Sequence, residues 1–448
     1  MNESVSRKKS MSPPQIIIII FLTLIIIGTF LLAMPISSAN GMSIGFLNAL
    51  FTATSAVCVN GLVVVDTGST FSSFGQIIIM VLIQIGGLGF MTLGVMIAII
   101  LGKRITLRQR MMIRQTTQST SNQGLVKLSL YIFLIALSFE LVATIILTLR
   151  WMGEFGLSQA FYYALFHSVS AFNNAGFSLW SDSLSQYIQD PIVNVTIISL
   201  FIFGGLGFIV ILELFKKRSW RKFSLHTKLV LVTSGILLVV GFFLLLLLEH
   251  WNPATFGKLT WTERISAAFF QSATPRSAGF NTIEIGQMVS SSQLLLIILM
   301  FIGASSGGTG GGIKTNTFAV LIFATLNTFR GGGPIHVFHR RISTDVVMRA
   351  LAVVMSSIAC VLIVALLLTI TEGILERHFL EILFEATSAF STTGLSMGLT
   401  SDLTPIGKII VAITMFIGRL GPLTLAYALA KKDRRTKITY PEDHVLIG

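Results

Sequence analysis

Charge is scarce in this 448-residue chain. Asp, Glu, Lys and Arg together make up 11% of it, and the acidic share is the smaller, 19 residues against 32 basic ones. An ordinary soluble domain carries about 25% charged residues, so a conventional polar surface is excluded. Cysteine is almost missing as well: Cys58 and Cys360 cannot form a disulfide framework. The seven histidines are scattered and no His-Glu-x-x-His occurs, which removes the metal or nucleophile cluster that a membrane hydrolase needs. No Gly-x-Gly-x-x-Gly domain is present, so any control by nucleotide is expected to come from a partner. What fills the chain instead is hydrophobic residue, 53% of the total, at a mean hydropathy of +0.82. At about 20 residues per spanning helix, eight helices plus re-entrant segments fit, with little left over for a soluble domain.

The net charge of +13 raises the possibility of nucleic-acid binding. Its placement speaks against that reading. Basic residues cluster between apolar segments: Lys103 to Lys127 without one acidic residue, then Lys216 to Lys228, then Arg330, Arg340 and Arg341. Arg7, Lys8 and Lys9 at the start and Lys431, Lys432, Arg434 and Arg435 at the end belong to the same side. The intervening loops hold Asp66, Asp182, Asp190, Glu372 and Asp402. Such alternation follows the positive-inside rule with both termini cytoplasmic. Gln15 to Leu32 follows a basic start, but it is long and lacks a small-residue cleavage pattern, so it reads as the first spanning helix and not as a signal peptide.

Four times the chain repeats Phe, nine residues and Gly: Phe51 to Gly61, Phe166 to Gly176, Phe269 to Gly279 and Phe384 to Gly394. Each copy lies between long apolar stretches, in the form of a half-helix running into a short polar return. The expected unit is therefore a long helix, a re-entrant half-helix and a second long helix. Unit 1 spans 15–103 (Gln15 to Pro35, Met42 to Ala56, Gly75 to Leu101), and unit 2 spans 124–217 (Leu125 to Leu149, Gln159 to Phe172, Val193 to Phe215). Unit 3 spans 225–330 (Leu225 to Leu248, Thr262 to Thr274, Gln293 to Phe329), and unit 4 spans 344–430 (Val346 to Ile370, Phe379 to Phe390, Ile406 to Ala430). Residues 1–14 and 431–448 are left as cytoplasmic ends. The fold class expected is an all-α membrane protein of four pseudo-repeats around one pore.

The repeat extends past the loops. Gly86-Gly87-Leu88-Gly89-Phe90 matches Gly204-Gly205-Leu206-Gly207-Phe208, and Met300-Phe301-Ile302-Gly303 matches Met415-Phe416-Ile417-Gly418. These helix glycines follow the loop glycines by 25, 28, 24 and 24 residues. Close helix packing in lipid and helices that bend beside a pore both account for them. At the loops, a glycine permits a backbone turn that a side chain would block, and four such turns about one axis would present carbonyl oxygens to a dehydrated cation. Half-helices pointing their carbonyl ends inward would add partial negative charge. The stretches expected to form this filter are Cys58, Val59, Asn60 and Gly61; Asn174, Ala175 and Gly176; Ser277, Ala278 and Gly279; and Thr392, Thr393 and Gly394.

Together, FHSVSAFNNAGFSL, PRSAGFNT and FEATSAFSTTGLSMG resemble the Trk/Ktr/HKT superfamily of cation transporters over nearly the whole chain. The segment GASSGGTGGGIKTNTF from Gly303 to Phe318 is most similar to the membrane subunit of bacterial Ktr potassium uptake systems. The resemblance implies potassium as the substrate ion at the filter carbonyls, with no cofactor bound by the chain. It also implies a plasma-membrane homodimer and a separate cytosolic nucleotide-binding regulatory ring. Asn60 departs from the threonine or similar small residue expected there. A secondary transporter coupling the cation to sodium or protons is the alternative, although inverted repeats would suit it better.

Unit 3 is interrupted by Gly303, Ala304, Ser305, Ser306, Gly307, Gly308, Thr309, Gly310, Gly311 and Gly312, followed closely by Lys314. Glycine at this density does not favour a continuous helix. A Walker loop is not formed, because Ile313 separates Gly312 from Lys314. The resemblance implies an intramembrane gate loop over 303–316 beneath the filter; a flexible kink is the simpler alternative. Arg419 follows Gly418 in an apolar helix, where a cation is costly without partners or water. Its expected roles are repelling cations, holding the gate loop through its carbonyls, or simple neutralisation by helix ends. Glu140 and Arg276 are expected in ion pairs, and His167 and Glu385 as supports for the half-helices. The basic inner connections, the C-terminal tail and membrane lipid are the expected contact partners.

Overall fold

The computed structural model describes residues 13–89, 125–373 and 378–422. Unit 1 comprises α1 (Pro13–Ala33), α2 (Phe46–Cys58) and α3 (Ser73–Leu88). Unit 2 holds α4 (Leu125–Phe155), α5 (Leu157–Phe172), α6 (Pro191–Leu206) and α7 (Phe208–Lys217). In unit 3, α8 (Leu225–Glu249) and α9 (Trp261–Ala273) lead to α10 (Ser290–Phe301) and α11 (Thr315–Phe329). A hairpin of β1 (Ile335–Val337) and β2 (Arg340–Ile342) then joins unit 4, which is α12 (Thr344–Thr371), α13 (Phe379–Ser391) and α14 (Pro405–Leu420). Among the described residues, four helices are long and apolar enough to cross a membrane, and a fifth span is counted if α6 and α7 are taken together. This is a multi-pass membrane fold.

The half-helices α2, α5, α9 and α13 run 13, 16, 13 and 13 residues. At 1.5 Å per residue that is about 20 to 24 Å, short of the roughly 30 Å hydrocarbon core, so each dips in and must return. Their inner halves are buried almost without interruption. Irregular backbone at such depth has to lie within protein.

The second helices differ from expectation. Continuous helices were expected over Gly75–Leu101, Val193–Phe215 and Ile406–Ala430. Instead, α3, α6 and α14 stop at Gly89, Gly207 and Gly421, with φ of 77°, 94° and 80°. Each stop lies three residues past a repeat glycine, Gly86, Gly204 or Gly418. A glycine in this conformation ends a helix because its backbone departs from the helical path at no Cβ cost. In unit 2 the chain leaves at 98° as α7. The basic segment after Gly89 and the tail after residue 422 lie outside the described residues.

Candidate ion pathway

In all four units the half-helix ends in the same backbone. Val59, Asn174, Ser277 and Thr392 have φ of 56°, 58°, 69° and 48°, and two residues later Gly61, Gly176, Gly279 and Gly394 have φ of 97°, 70°, 78° and 85°. The residue between is pinned to its own half-helix: Asn60, Ala175 and Thr393 donate their N–H to the carbonyls of Ser55, Ser170 and Ser388 at 2.9, 2.8 and 3.0 Å, and Ala278 to Thr274 at 2.9 Å. The carbonyl oxygens of the same four residues lie close to the glycine of a neighbouring unit. A methyl built on Gly61 would stand 2.6 Å from the Ala175 oxygen, and one on Gly176 would stand 3.1 Å from that of Ala278. On Gly279 it would lie 2.6 Å from Thr393 O, and on Gly394 2.1 Å from Asn60 O. The contacts run 1 to 2, 2 to 3, 3 to 4 and 4 back to 1, closing a ring of four glycines and four carbonyls.

Side chains tie the ring together from outside. Asn60 donates through Nδ2 to Ala389 O at 3.1 Å and Ser388 O at 3.4 Å, while its Oδ1 accepts from Leu62 N at 3.1 Å. Asn60 thus fastens unit 1 to the end of α13 in unit 4. Ser277 Oγ donates to Ser391 O at 3.0 Å, linking units 3 and 4. Cys58 is the last helical residue of α2 and is buried, so the non-helical return of unit 1 starts at Val59. The repeat glycines of the second helices serve close packing: methyls on Gly86, Gly204 and Gly418 would lie 2.1, 1.9 and 1.9 Å from the carbonyls of Val57, Phe172 and Phe390.

Unit 3 breaks this pattern. At its equivalent glycine, Gly303, a methyl would meet Gly311 O at 2.4 Å, because the segment 303–314 forms a loop closed at its neck. Ala304 N donates to Gly311 O at 3.3 Å and Ile313 N to Phe301 O at 3.2 Å. The loop lies against the inner end of the ring. Methyls on Gly310 and Gly311 would press on Ser277 Cβ at 2.7 Å and Thr392 Oγ1 at 2.2 Å, and Thr309 Oγ1 donates to Asn174 Oδ1 at 2.9 Å. Three of the four left-handed residues therefore touch it.

The broken helix of unit 2 receives the same loop from the side. Phe208 N donates to Gly307 O at 3.1 Å, Ser305 N to Gly205 O at 2.9 Å and Thr309 N to Gly204 O at 3.2 Å. A methyl on Gly207 would meet Ser306 O at 2.6 Å. Two cations hold the loop as well. Arg419 donates to Thr309 O and to Gly86 O, bridging α14, the loop and α3. Lys314 Nζ donates to Gly310 O at 2.6 Å, and Gly312 completes the neck against Gly303.

On the other side of the ring lies a cavity of about 400 Å³ lined by all four glycines. Asp66 and Glu284 also line it, and no Lys or Arg does among the described residues. A mouth with one sign of charge raises the local cation concentration.

Residues 2–438 match the TrkH family, described as cation transport protein. The chain belongs to that family. It is 45% identical over 437 residues to Ktr system potassium uptake protein B of Bacillus subtilis, covering 98% of this chain and 97% of that one. The protein of the same name from Vibrio alginolyticus is also 45% identical, over 97% and 95% of the two chains. The potassium/sodium uptake protein NtpJ of Enterococcus hirae is 38% identical, covering 98% of each. The crystal structure of the potassium transporter TrkH from Vibrio parahaemolyticus superposes with a TM-score of 0.74 at 19% identity, over 96% of this chain and 87% of that one, and shares the fold.

Within this TrkH-family fold, several residues have partners that sequence did not name. Glu140 and Arg276 are not in ion pairs among the described residues. Glu140 instead accepts from Gln84 Nε2 and Asn173 Nδ2, both at 3.1 Å, joining α3, α4 and the end of α5. Arg276 donates to Ser234 O of α8 at 2.6 Å. His167 stacks on Trp180 with ring centroids 4.2 Å apart and faces Ser178 at 3.2 Å, and Glu385 accepts from Ser396 at 2.9 Å. Both brace a half-helix to the residue eleven positions on. Sequence reasoning missed the docking of the loop on Gly204, Gly205 and Phe208, although the repeated GGLGF marked that place.

Proposed function

We propose that this chain takes up potassium ions across the plasma membrane through the four-glycine ring, and that the 303–314 loop gates the path. The closed cycle of glycine and carbonyl contacts carries the reading. A cation entering lipid loses its hydration shell, and a ring of neutral carbonyls replaces that shell without a fixed charge that would trap the ion. The helix C-termini aimed at the ring add partial negative potential. Asp66 and Glu284 at the mouth gather cations, and membrane potential supplies about 2.3 kcal/mol per charge at 100 mV. Relatives whose names give potassium uptake, alone or with sodium, support potassium as the ion.

With the loop seated, Arg419 and Lys314 hold backbone beneath the ring and obstruct the exit. Glycines let the loop occupy this narrow space and lower its preference for a single conformation. A bound partner then shifts the balance by its differential affinity for the two states. We assign that role to a cytosolic nucleotide-binding ring of separate subunits, acting on a homodimer whose termini face the cytoplasm. The relatives' designation as one component of a system supports such a division of labour. Uptake by vesicles containing the purified protein tests the reading. Potassium should enter in preference to sodium under an inside-negative potential alone; uptake that requires a proton or sodium gradient would establish the coupled transporter instead.

A further inference from the structure

Between α10 and α11 of unit 3 and α12 and α13 of unit 4 lies a groove of about 590 Å³, and among the described residues Thr325 and Thr387 are its only polar lining. It reaches Ile302, just before the loop, and Ile313 near the loop's end, and continues along Ile322, Leu326 and Ile358. Its outer rim is open: Leu362 is 56% exposed and Leu326 45%. At the cytoplasmic end of α11 stands Arg330, one turn beyond Leu326, and the β1–β2 hairpin carries Arg340 and Arg341, all exposed. The hairpin packs through Val337 and Ile342 in one cluster with Ala350 of α12. From Arg330 to Arg349 there are four arginines and a single acid, Asp345.

We propose that this groove is a lipid site, holding the acyl chain of an anionic phospholipid whose phosphate sits on Arg330, Arg340 and Arg341. Charge favours this occupant over a helix of a second copy, because an apolar helix would leave Arg330, one turn beyond the groove residue Leu326, and the hairpin arginines unmatched. Basic pockets at the cytoplasmic ends of spanning helices suit phosphate head groups. Because Ile313 of the loop and Ile302 next to it both line the groove, a chain seated there blocks the loop from swinging outward and holds it under the ring. That last coupling rests on the gate reading; occupancy of the groove does not.

The test uses the full-length protein exchanged into phosphatidylglycerol or phosphatidylcholine nanodiscs, followed by native mass spectrometry of retained lipid. The wild type should retain phosphatidylglycerol preferentially. Each arginine near the surface contributes about fivefold to anionic-lipid affinity, so Arg340→Gln with Arg341→Gln should cut the preference by roughly 25-fold. Ile322→Trp with Ile358→Trp fills the groove and should lose the retained lipid while eluting as the same assembly. Equal retention by all three proteins would overturn the proposal. So would a tryptophan variant that keeps its lipid but falls to a smaller assembly, since a second copy would then be the occupant. In flux vesicles, phosphatidylglycerol should lower basal potassium uptake of the wild type and leave the tryptophan variant unaffected; equal dependence in both would break the link to the loop without touching the retention result.

Discussion

Replacing Arg419 by methionine keeps an unbranched stem, shorter than that of arginine, and removes every donor. In the intact protein its guanidinium reaches Thr309 O in the loop and Gly86 O in α3. A hydrogen bond from a charged donor contributes about 1.5 to 3 kcal/mol, so losing the bond to the loop shifts its docked-to-undocked ratio by roughly 10- to 150-fold. If the loop is docked 99 times in 100 at rest, the free fraction rises from about 1% to between about 10 and 60%. Removing the positive charge below the ring also lowers the barrier to a cation, so both effects act in the same direction. Other anchors remain, among them Thr309 to Asn174 at 2.9 Å and Lys314 to Gly310 at 2.6 Å, and the variant should fold. The assay is potassium uptake by vesicles carrying the purified chain without its cytosolic partner. Basal uptake should rise about tenfold or more. Unchanged uptake from a correctly assembled Arg419→Met protein would reduce Arg419 to a packing residue and refute the latch.

Deleting Ser305 to Gly311 should raise basal uptake further and weaken control by the partner; normal assembly with no rise would retire the gate. Asn60→Ala takes one donor from the carbonyls of Ser388 and Ala389, which keep the N–H groups of Thr393 and Thr392, and leaves the N–H of Leu62 without the Asn60 oxygen. It should cost about 1 to 3 kcal/mol in stability and lower the potassium-to-sodium ratio, checked by thermal unfolding in detergent and by paired uptake; an unaltered ratio would show that the tie between units 1 and 4 does not shape the ring. Asp66→Asn with Glu284→Gln should raise the potassium concentration needed for half-maximal uptake at low salt, with the difference fading as ionic strength rises. A salt-independent effect would point to altered loop structure instead.

The motif of phenylalanine, nine residues and glycine was legible because one backbone requirement recurs four times, and each recurrence lands on a left-handed turn of the same shape. The helix glycines were ambiguous in sequence because packing and breaking use the same residue. The structure divides the tasks: Gly86, Gly204 and Gly418 admit a carbonyl, while Gly89, Gly207 and Gly421 stop the helix three residues on. Asn60 was visible as a departure, but its purpose depends on α13, more than 300 residues away. Arg276 looked like half of an ion pair because charge in an apolar segment implies a counter-charge; a backbone carbonyl at 2.6 Å serves instead. Hydropathy alone also suggested unbroken second helices, since it does not register the sign of φ.

The ring itself is tested most directly by the reversal potential of Gly61→Ser in opposed potassium and sodium gradients. A side chain at Gly61 would meet Ala175 O, 2.6 Å from where its Cβ must stand, in a conformation with φ of 97°. One quarter of the carbonyl ring is thereby displaced. The wild type should reverse near the potassium equilibrium potential, and Gly61→Ser should move toward zero while conducting a comparable total cation flux. A correctly folded Gly61→Ser protein that still reverses where the wild type does would place ion selection somewhere other than the four glycines.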